Sequence, residues 1–262
     1  MRRETQNILL VLVGGALLKI SFTSAHLLYV KPAHRYWLIA GGVIMVLLAA
    51  ISILRDLLSA RKMEAAIGAP TQASATGPSD VDHAGEDEHG DHHHASRSAW
   101  LLLLPVLAIF LVTPQALGAD SVLRGENRAA STRAAADDGS SLFPAIPQGD
   151  IVSLPMGDFA ARAAWDEGDS LNGRTVRLTG FIVTQDDVVY LARLSIACCA
   201  ADAFPTKVKL DGPGTDGLAN DMWVEAIGQV EPGTATKETD YVPTLNLTGL
   251  FQIQQPENPY EG

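Results

Sequence analysis

The sequence predicts a membrane α-helical N-terminal region of three spans followed by an all-β C-terminal domain, a small five-stranded barrel of the OB type. Two observations carry this prediction. Hydrophobic residues make up 47% of the chain and aromatic ones only 6%, and the apolar weight sits in first-half runs long enough to cross a bilayer core, which takes ~20 helical residues. After Asn172-Gly173 the pattern changes to short alternating runs broken by Gly and Pro, the mark of strands and turns.

The first apolar run, residues 8–30, opens after Arg2 and Arg3 and carries Lys19 near mid-depth and His26 further on. Ionisable groups inside a bilayer are costly unless they face a cavity, a partner helix or the interface. Lys19 therefore either faces a partner or snorkels its stem toward the headgroups. Gly14 and Gly15 permit close helix contact. A short connection with Lys31, Pro32, His34 and Arg35 leads to a second run, residues 37–54, with Tyr36 and Trp37 as interfacial aromatics. Residues 1–58 thus read as a two-span hairpin.

Residues 59–98 lose apolar periodicity and read as a disordered loop. Within it, residues 80–94 hold five histidines, His83, His89, His92, His93 and His94, among six acidic residues. Imidazole and carboxylate at that density suit zinc or another borderline divalent ion. A tract without fixed geometry would buffer or pass on metal; the plain alternative is a solvated polar linker.

Residues 99–118 form the third expected span, with Pro105 and Pro114 near its ends. Arg2, Arg3, Arg55, Arg61, Lys62 and Arg97 outnumber Lys31 and Arg35. The excess of bases puts the amino terminus and the histidine loop in the cytoplasm, and everything after the third span outside, in a multi-pass protein of the cell membrane. Ala116-Leu117-Gly118 has the small-residue look of a cleavage site, but an internal position after two spans favours an uncleaved anchor.

Residues 119–150 read as a tether and residues 151–262 as the extracytoplasmic β domain. A short amphipathic helix is expected over residues 157–165, with Phe159 and Trp165 as its apolar contacts. Val176, Leu178, Gly180 and Ile182 then alternate with Arg177, Thr179 and Phe181, and residues 188–196, 206–210, 222–230 and 245–253 make four more runs. Five short strands and one helix suit the OB barrel, with a β-sandwich as the alternative. From residue 119 onward 21 acids face 10 bases, a balance that repels nucleic acid, and no aromatic stacking platform is evident.

Both cysteines of the chain stand side by side in Arg193-Leu-Ser-Ile-Ala-Cys-Cys-Ala-Ala-Asp-Ala-Phe-Pro205. Adjacent Cα atoms lie ~3.8 Å apart, closer than the ~4.4–6.8 Å of ordinary disulfides, so a ring closed between them is strained. In a strand the two side chains point to opposite faces, so Cys198 and Cys199 meet one ion only where the chain turns. Residues 200–205, with Asp202 and a proline stop, supply such a turn. Cys198, Cys199 and Asp202 are three ligands for a tetrahedral site that needs water or a partner as the fourth. The alternative is two small buried apolar groups.

The paired first spans, the later span with its Pro-Gln-Ala-Leu-Gly exit, and Ile196, Cys198, Cys199, Ala200, Ala201, Asp202, Ala203 and Pro205 in the C-terminal domain resemble the bacterial YcgQ-like membrane proteins, a family of permease subunits. The resemblance covers most of the chain outside the two linkers. It implies companionship with a polytopic membrane permease and a link to zinc homeostasis. It brings no catalytic set, and the histidine tract is not part of it.

The expected function is that of an accessory permease subunit for a divalent metal such as zinc. One alternative is a membrane-anchored extracytoplasmic thiol redox protein, against which the absence of a Cys-x-x-Cys pair counts; another is an interaction module with inert cysteines. An enzyme is not expected, because no Gly-rich phosphate loop, His-Glu-x-x-His helix or serine elbow is present. Three crossings are also too few for a secondary transporter acting alone.

Overall fold

A computed structural model describes residues 3–67, 107, 111, 115–125, 143–166 and 170–261. The chain forms two compact units, Met1–Thr23 with Tyr36–Thr113, and Ser24–Arg35 with Pro114–Gly262. The connection between the first two helices thus belongs to the unit that contains the β domain.

In the first unit, helix α1 (Arg3–Phe22) and helix α2 (Arg35–Ile67) meet at glycines. A Cβ at Gly14 would stand 2.9 Å from Val46 Cγ2 and 3.0 Å from the Gly42 carbonyl oxygen, and one at Gly42 would stand 2.9 Å from Leu18 Cγ. Small residues allow this approach. Gly15 is not at the contact, since a Cβ there meets nothing within 4 Å. Only 11% of the apolar window in Pro32–Ser59 is buried, and Ile44, Leu47, Leu48, Ile51 and Leu54 are exposed. A soluble protein buries such a helix.

The three-span expectation is corrected in number. Among the described residues, one helix is long and apolar enough to cross a membrane, Pro32–Ser59, and Gln6–Phe22 is a shorter apolar helix. The first run does not continue as helix to residue 30. It stops at Phe22, where Thr23 Oγ1 donates to the Lys19 and Ile20 carbonyls, and a separate 3-10 turn, Ser24–Leu28, follows. His26 is therefore not on α1; it lies buried in that turn. Lys19 sits exposed in the last turn of α1. Leu107 and Leu111 are helical; the rest of the third expected span, up to residue 114, lies outside the described residues, as do residues 68–98 of the expected loop with its five histidines, whereas residues 59–67, also expected in that loop, continue helix α2.

The second unit is a mostly-β fold around one seven-stranded sheet, where five strands were expected. Strands β1 (Ile151–Ser153), β2 (Thr175–Gln185), β3 (Val188–Ser195), β4 (Phe204–Asp211), β5 (Trp223–Glu231), β6 (Thr244–Gln252) and β7 (Tyr260–Glu261) pair in the order β1-β2-β5-β6-β4-β3-β7. The five expected runs are β2 to β6, and the additions are the two- and three-residue strands at the ends. A further antiparallel pairing of β2 with β3 joins the five long strands into a closed ring of pairings. Asp186 and Asp187 turn between β2 and β3 with positive φ of 51° and 62°, as a two-residue hairpin requires.

Alternation along β2 explains the packing. Val176, Leu178 and Ile182 face a core with Leu191, Val208, Leu210, Val224, Ala226 and Leu245, closed by Met156 and Phe159. These two come from helix α4 (Met156–Trp165), the expected short helix, which approaches so closely that a Cβ at Gly180 would lie 2.8 Å from Met156 Cε. Beyond Gly180 the other face of β2 is buried as well: Phe181 and Val183 join Ala192, Leu194, Ile196, Trp223 and Tyr260 in a second cluster. Helix α3 (Ala119–Arg124) covers that cluster with Ala119 and the fully buried Val122. The start of the segment expected as a tether is thus packed on the sheet, with the Ala119 N–H donating to Asp221 Oδ1 at 2.6 Å.

Candidate metal centre

The cysteines lie at the turn between β3 and β4. The sheet ends locally at Ser195, and the Ile196 N–H donates to the Glu261 carbonyl at 3.0 Å. Glu261 also accepts from the Met156 and Gly157 N–H groups at the start of α4, at 2.9 and 3.2 Å, so β7 is held from both sides. Past Ile196 the chain turns through Ala197, Cys198 and Cys199 into a 3-10 turn, Ala200–Asp202, and Phe204 opens β4.

Asp202 organises this turn. Its Oδ1 accepts from the Ala197 N–H at 2.9 Å, and its Oδ2 accepts from the Cys198 and Cys199 N–H groups at 2.8 and 3.3 Å. Three successive amides aimed at one carboxylate form an anion nest. The Cys198 thiol and the backbone amides hold the Asp202 carboxyl down to about 2. The reciprocal effect pushes the exposed Cys198 thiol up to about 12, through its hydrogen bond to Asp202 first and its contact with Cys199 second. Thiolate is the nucleophile in thiol exchange. A thiol that keeps its proton beside a carboxylate is poorly suited to that chemistry.

Cys198, Cys199 and Asp202 bring one sulfur or oxygen each to within 4.8 Å of one another. The two Sγ atoms are 3.6 Å apart. A tetrahedral ion with Zn–S bonds of ~2.3 Å spans two sulfurs ~3.8 Å apart, whereas linear coordination at that bond length needs ~4.6 Å. The sulfur spacing fits the tetrahedral case. An ionised carboxylate offers about four lone-pair positions; backbone amides take three, and the remaining one faces the Cys198 thiol, where an ion would replace the proton. The residues therefore fit a divalent ion held by two sulfurs and one oxygen, with a fourth position left for water or a partner's ligand. The structure brings neither Lys19 nor His26 into this group.

Sequence reasoning missed what holds the turn from outside. Val30 and Cys199 form an antiparallel bridge. The Lys31 N–H donates to the Cys198 carbonyl at 3.2 Å, and the Ala200 N–H donates to the Tyr29 carbonyl at 2.8 Å. One residue earlier, the Leu28 carbonyl accepts from the Tyr260 hydroxyl at 3.3 Å, and that hydroxyl accepts from the Leu117 N–H at 3.1 Å. Residues 28–31 carry no motif; only the β-compatible Tyr29-Val30 before Pro32 hints at an extended pairing segment.

Comparison with known proteins bears on the same domain. No curated protein and no solved structure matches the chain. The family model described as DUF1980 C-terminal domain, a family tied to the YcgQ-like proteins, matches residues 164–261, which run from the end of α4 through β7 and include Cys198, Cys199 and Asp202.

Proposed function

We propose that the protein is an accessory membrane subunit of a permease for a divalent metal such as zinc, and that Cys198, Cys199 and Asp202 bind the ion on an extracytoplasmic domain. The observation that carries the reading is the 3.6 Å separation of the two sulfurs beside Asp202. The family match to the C-terminal domain agrees with a membrane-associated accessory role. In this reading the ring of five strands is a partly open Greek-key barrel of the OB type, in which β4 and β6 are the parallel pair. The histidine tract is a cytoplasmic metal buffer.

The proposed topology gains support from the second unit. Residues 24–35 precede the apolar helix α2, residues 115–125 follow the third apolar run, and both pack in the same unit. If α2 crosses the membrane, the chain must cross again between them, and residues 99–118 are the apolar run available. Co-purification of the full chain from native membranes, with metal analysis, tests the proposal. Recovery of a polytopic permease together with zinc that is lost from the Cys198→Ala/Cys199→Ala variant is expected. A metal-free preparation without any membrane partner would contradict it.

A further inference from the structure

We infer that the thiol turn is a metal-dependent clasp, in which an ion on Cys198, Cys199 and Asp202 locks the loop between α1 and α2 onto the β domain. The inference rests on the metal reading above and extends it to the regulation of the same site.

The backbone of the ligand-bearing residues is the surface on which the loop docks. Cys198 presents its carbonyl to Lys31, Cys199 faces Val30, and Ala200 gives its N–H to Tyr29, while the side chains of Cys198 and Cys199 form the sulfur pair. The opposite side of the same backbone is held by the Asp202 carboxylate through the amides of Ala197, Cys198 and Cys199. One short segment therefore serves the loop, the carboxylate and the sulfur pair at once. Loop and turn share one isolated bridge rather than a ladder, and the Leu28–Tyr260 hydrogen bond joins the same loop to the β domain.

Ligation fixes the side-chain rotamers of Cys198 and Cys199 and the position of Asp202. The turn is then already ordered when the loop pairs with it, and the pairing becomes more favourable. By reciprocity the docked loop raises the affinity for the ion by the same factor. Because α1 ends at Phe22 and α2 begins at Arg35, the loop that is locked is the direct connection between the two apolar helices. Metal outside the membrane is thereby sensed at the helix pair.

Two substitutions isolate the clasp without touching a ligand. Ala200 is the first residue of its 3-10 turn, preceded by an extended Cys199 at φ −152° and ψ 169°, a setting that accepts proline. Ala200→Pro deletes only the N–H that Tyr29 accepts. Lys31 has φ −57° and ψ 144°, also proline-compatible, and Lys31→Pro deletes the N–H given to Cys198 from the loop side. The experiment uses the full chain in nanodiscs, with the five tract histidines changed to asparagine, and zinc as the probe. Amide exchange is read in peptides covering residues 29–35 and 197–203, and zinc affinity by competition with a chelating dye. Zinc is expected to slow exchange of the Lys31 and Ala200 amides at least fivefold, and each proline variant is expected to weaken zinc binding about fivefold to tenfold. Zinc binding of equal strength in wild type and both variants, with unchanged exchange at residues 29–31, would overturn the clasp and leave the metal site standing. No zinc binding by the wild type would overturn both.

Discussion

Val30 and Cys199 face each other across an antiparallel bridge although one lies before the apolar helix α2 and the other in the β domain. The bridge places the connection between α1 and α2 on the same side of any membrane as the thiol turn. In a cysteine-free background, Ala33→Cys and Asp216→Cys should both react with a membrane-impermeant maleimide added outside intact cells. A secretion-dependent reporter fused at Gly85 should stay silent, and one at Gly139 should be active. Labelling of positions 33 and 216 from opposite sides would contradict the arrangement.

The hydrogen bond to Asp202 is the largest influence that keeps the Cys198 proton in place, with the contact to Cys199 second. With Cys199 replaced by serine, Asp202→Asn should lower the Cys198 pKa toward the ordinary thiol range of ~8.5 and speed alkylation at pH 7.5 at least ~10-fold, since each unit of pKa changes the thiolate fraction about tenfold. Equal alkylation rates with and without the carboxylate would show that Asp202 does not govern the thiol.

Acid acts on the same pair in the opposite sense. Because the folded-state pKa of Asp202 is lowered to about 2, its bonds to the three amides stabilise the turn fully above the unfolded carboxylate value of ~3.9 and disappear as pH falls through about 2. Amide chemical shifts of Ala197, Cys198 and Cys199 should hold steady from pH 6 to pH 4 and move only toward pH 2. A transition centred near pH 4 would mean an ordinary exposed aspartate.

Tyr260 joins two backbone segments through one hydroxyl, donating to Leu28 and accepting from Leu117. Tyr260→Phe keeps the buried ring and removes both bonds, which should cost on the order of 1–3 kcal/mol. Chemical denaturation should report that loss. Unfolding indistinguishable from wild type would remove Tyr260 as the joint.

The legible parts of this fold are those in which pattern is local. Alternation brought out β2 to β6, and the Phe159 and Trp165 spacing brought out α4, because each element has a face whose apolar residues recur at its own period. The turn at Cys198 was readable from Asp202, whereas Pro205, expected as a stop, lies inside β4 paired with Leu194. Helix α3 was not: in Ala119-Asp-Ser-Val-Leu-Arg124 no period can develop over six residues, and its burial comes from Phe181 and Trp223 on the outer face of the sheet. Hydropathy overextended the first span to residue 30, because Leu27, Leu28, Tyr29 and Val30 are as apolar in a docked loop as in a bilayer. The pairing of residues 29–31 with residues 198–200 is a contact between distant parts of the chain, invisible to any window.

The central claim, that two sulfurs and one oxygen of this turn hold a divalent ion, is tested most directly by zinc-edge X-ray absorption on the full chain loaded with one equivalent of zinc, with the five tract histidines replaced by asparagine. Two sulfur scatterers at ~2.3 Å with oxygen at ~2.0–2.2 Å are expected, and the Cys198→Ala/Cys199→Ala variant should lose the sulfur shell. A first shell of only nitrogen and oxygen in the wild-type turn would contradict the account.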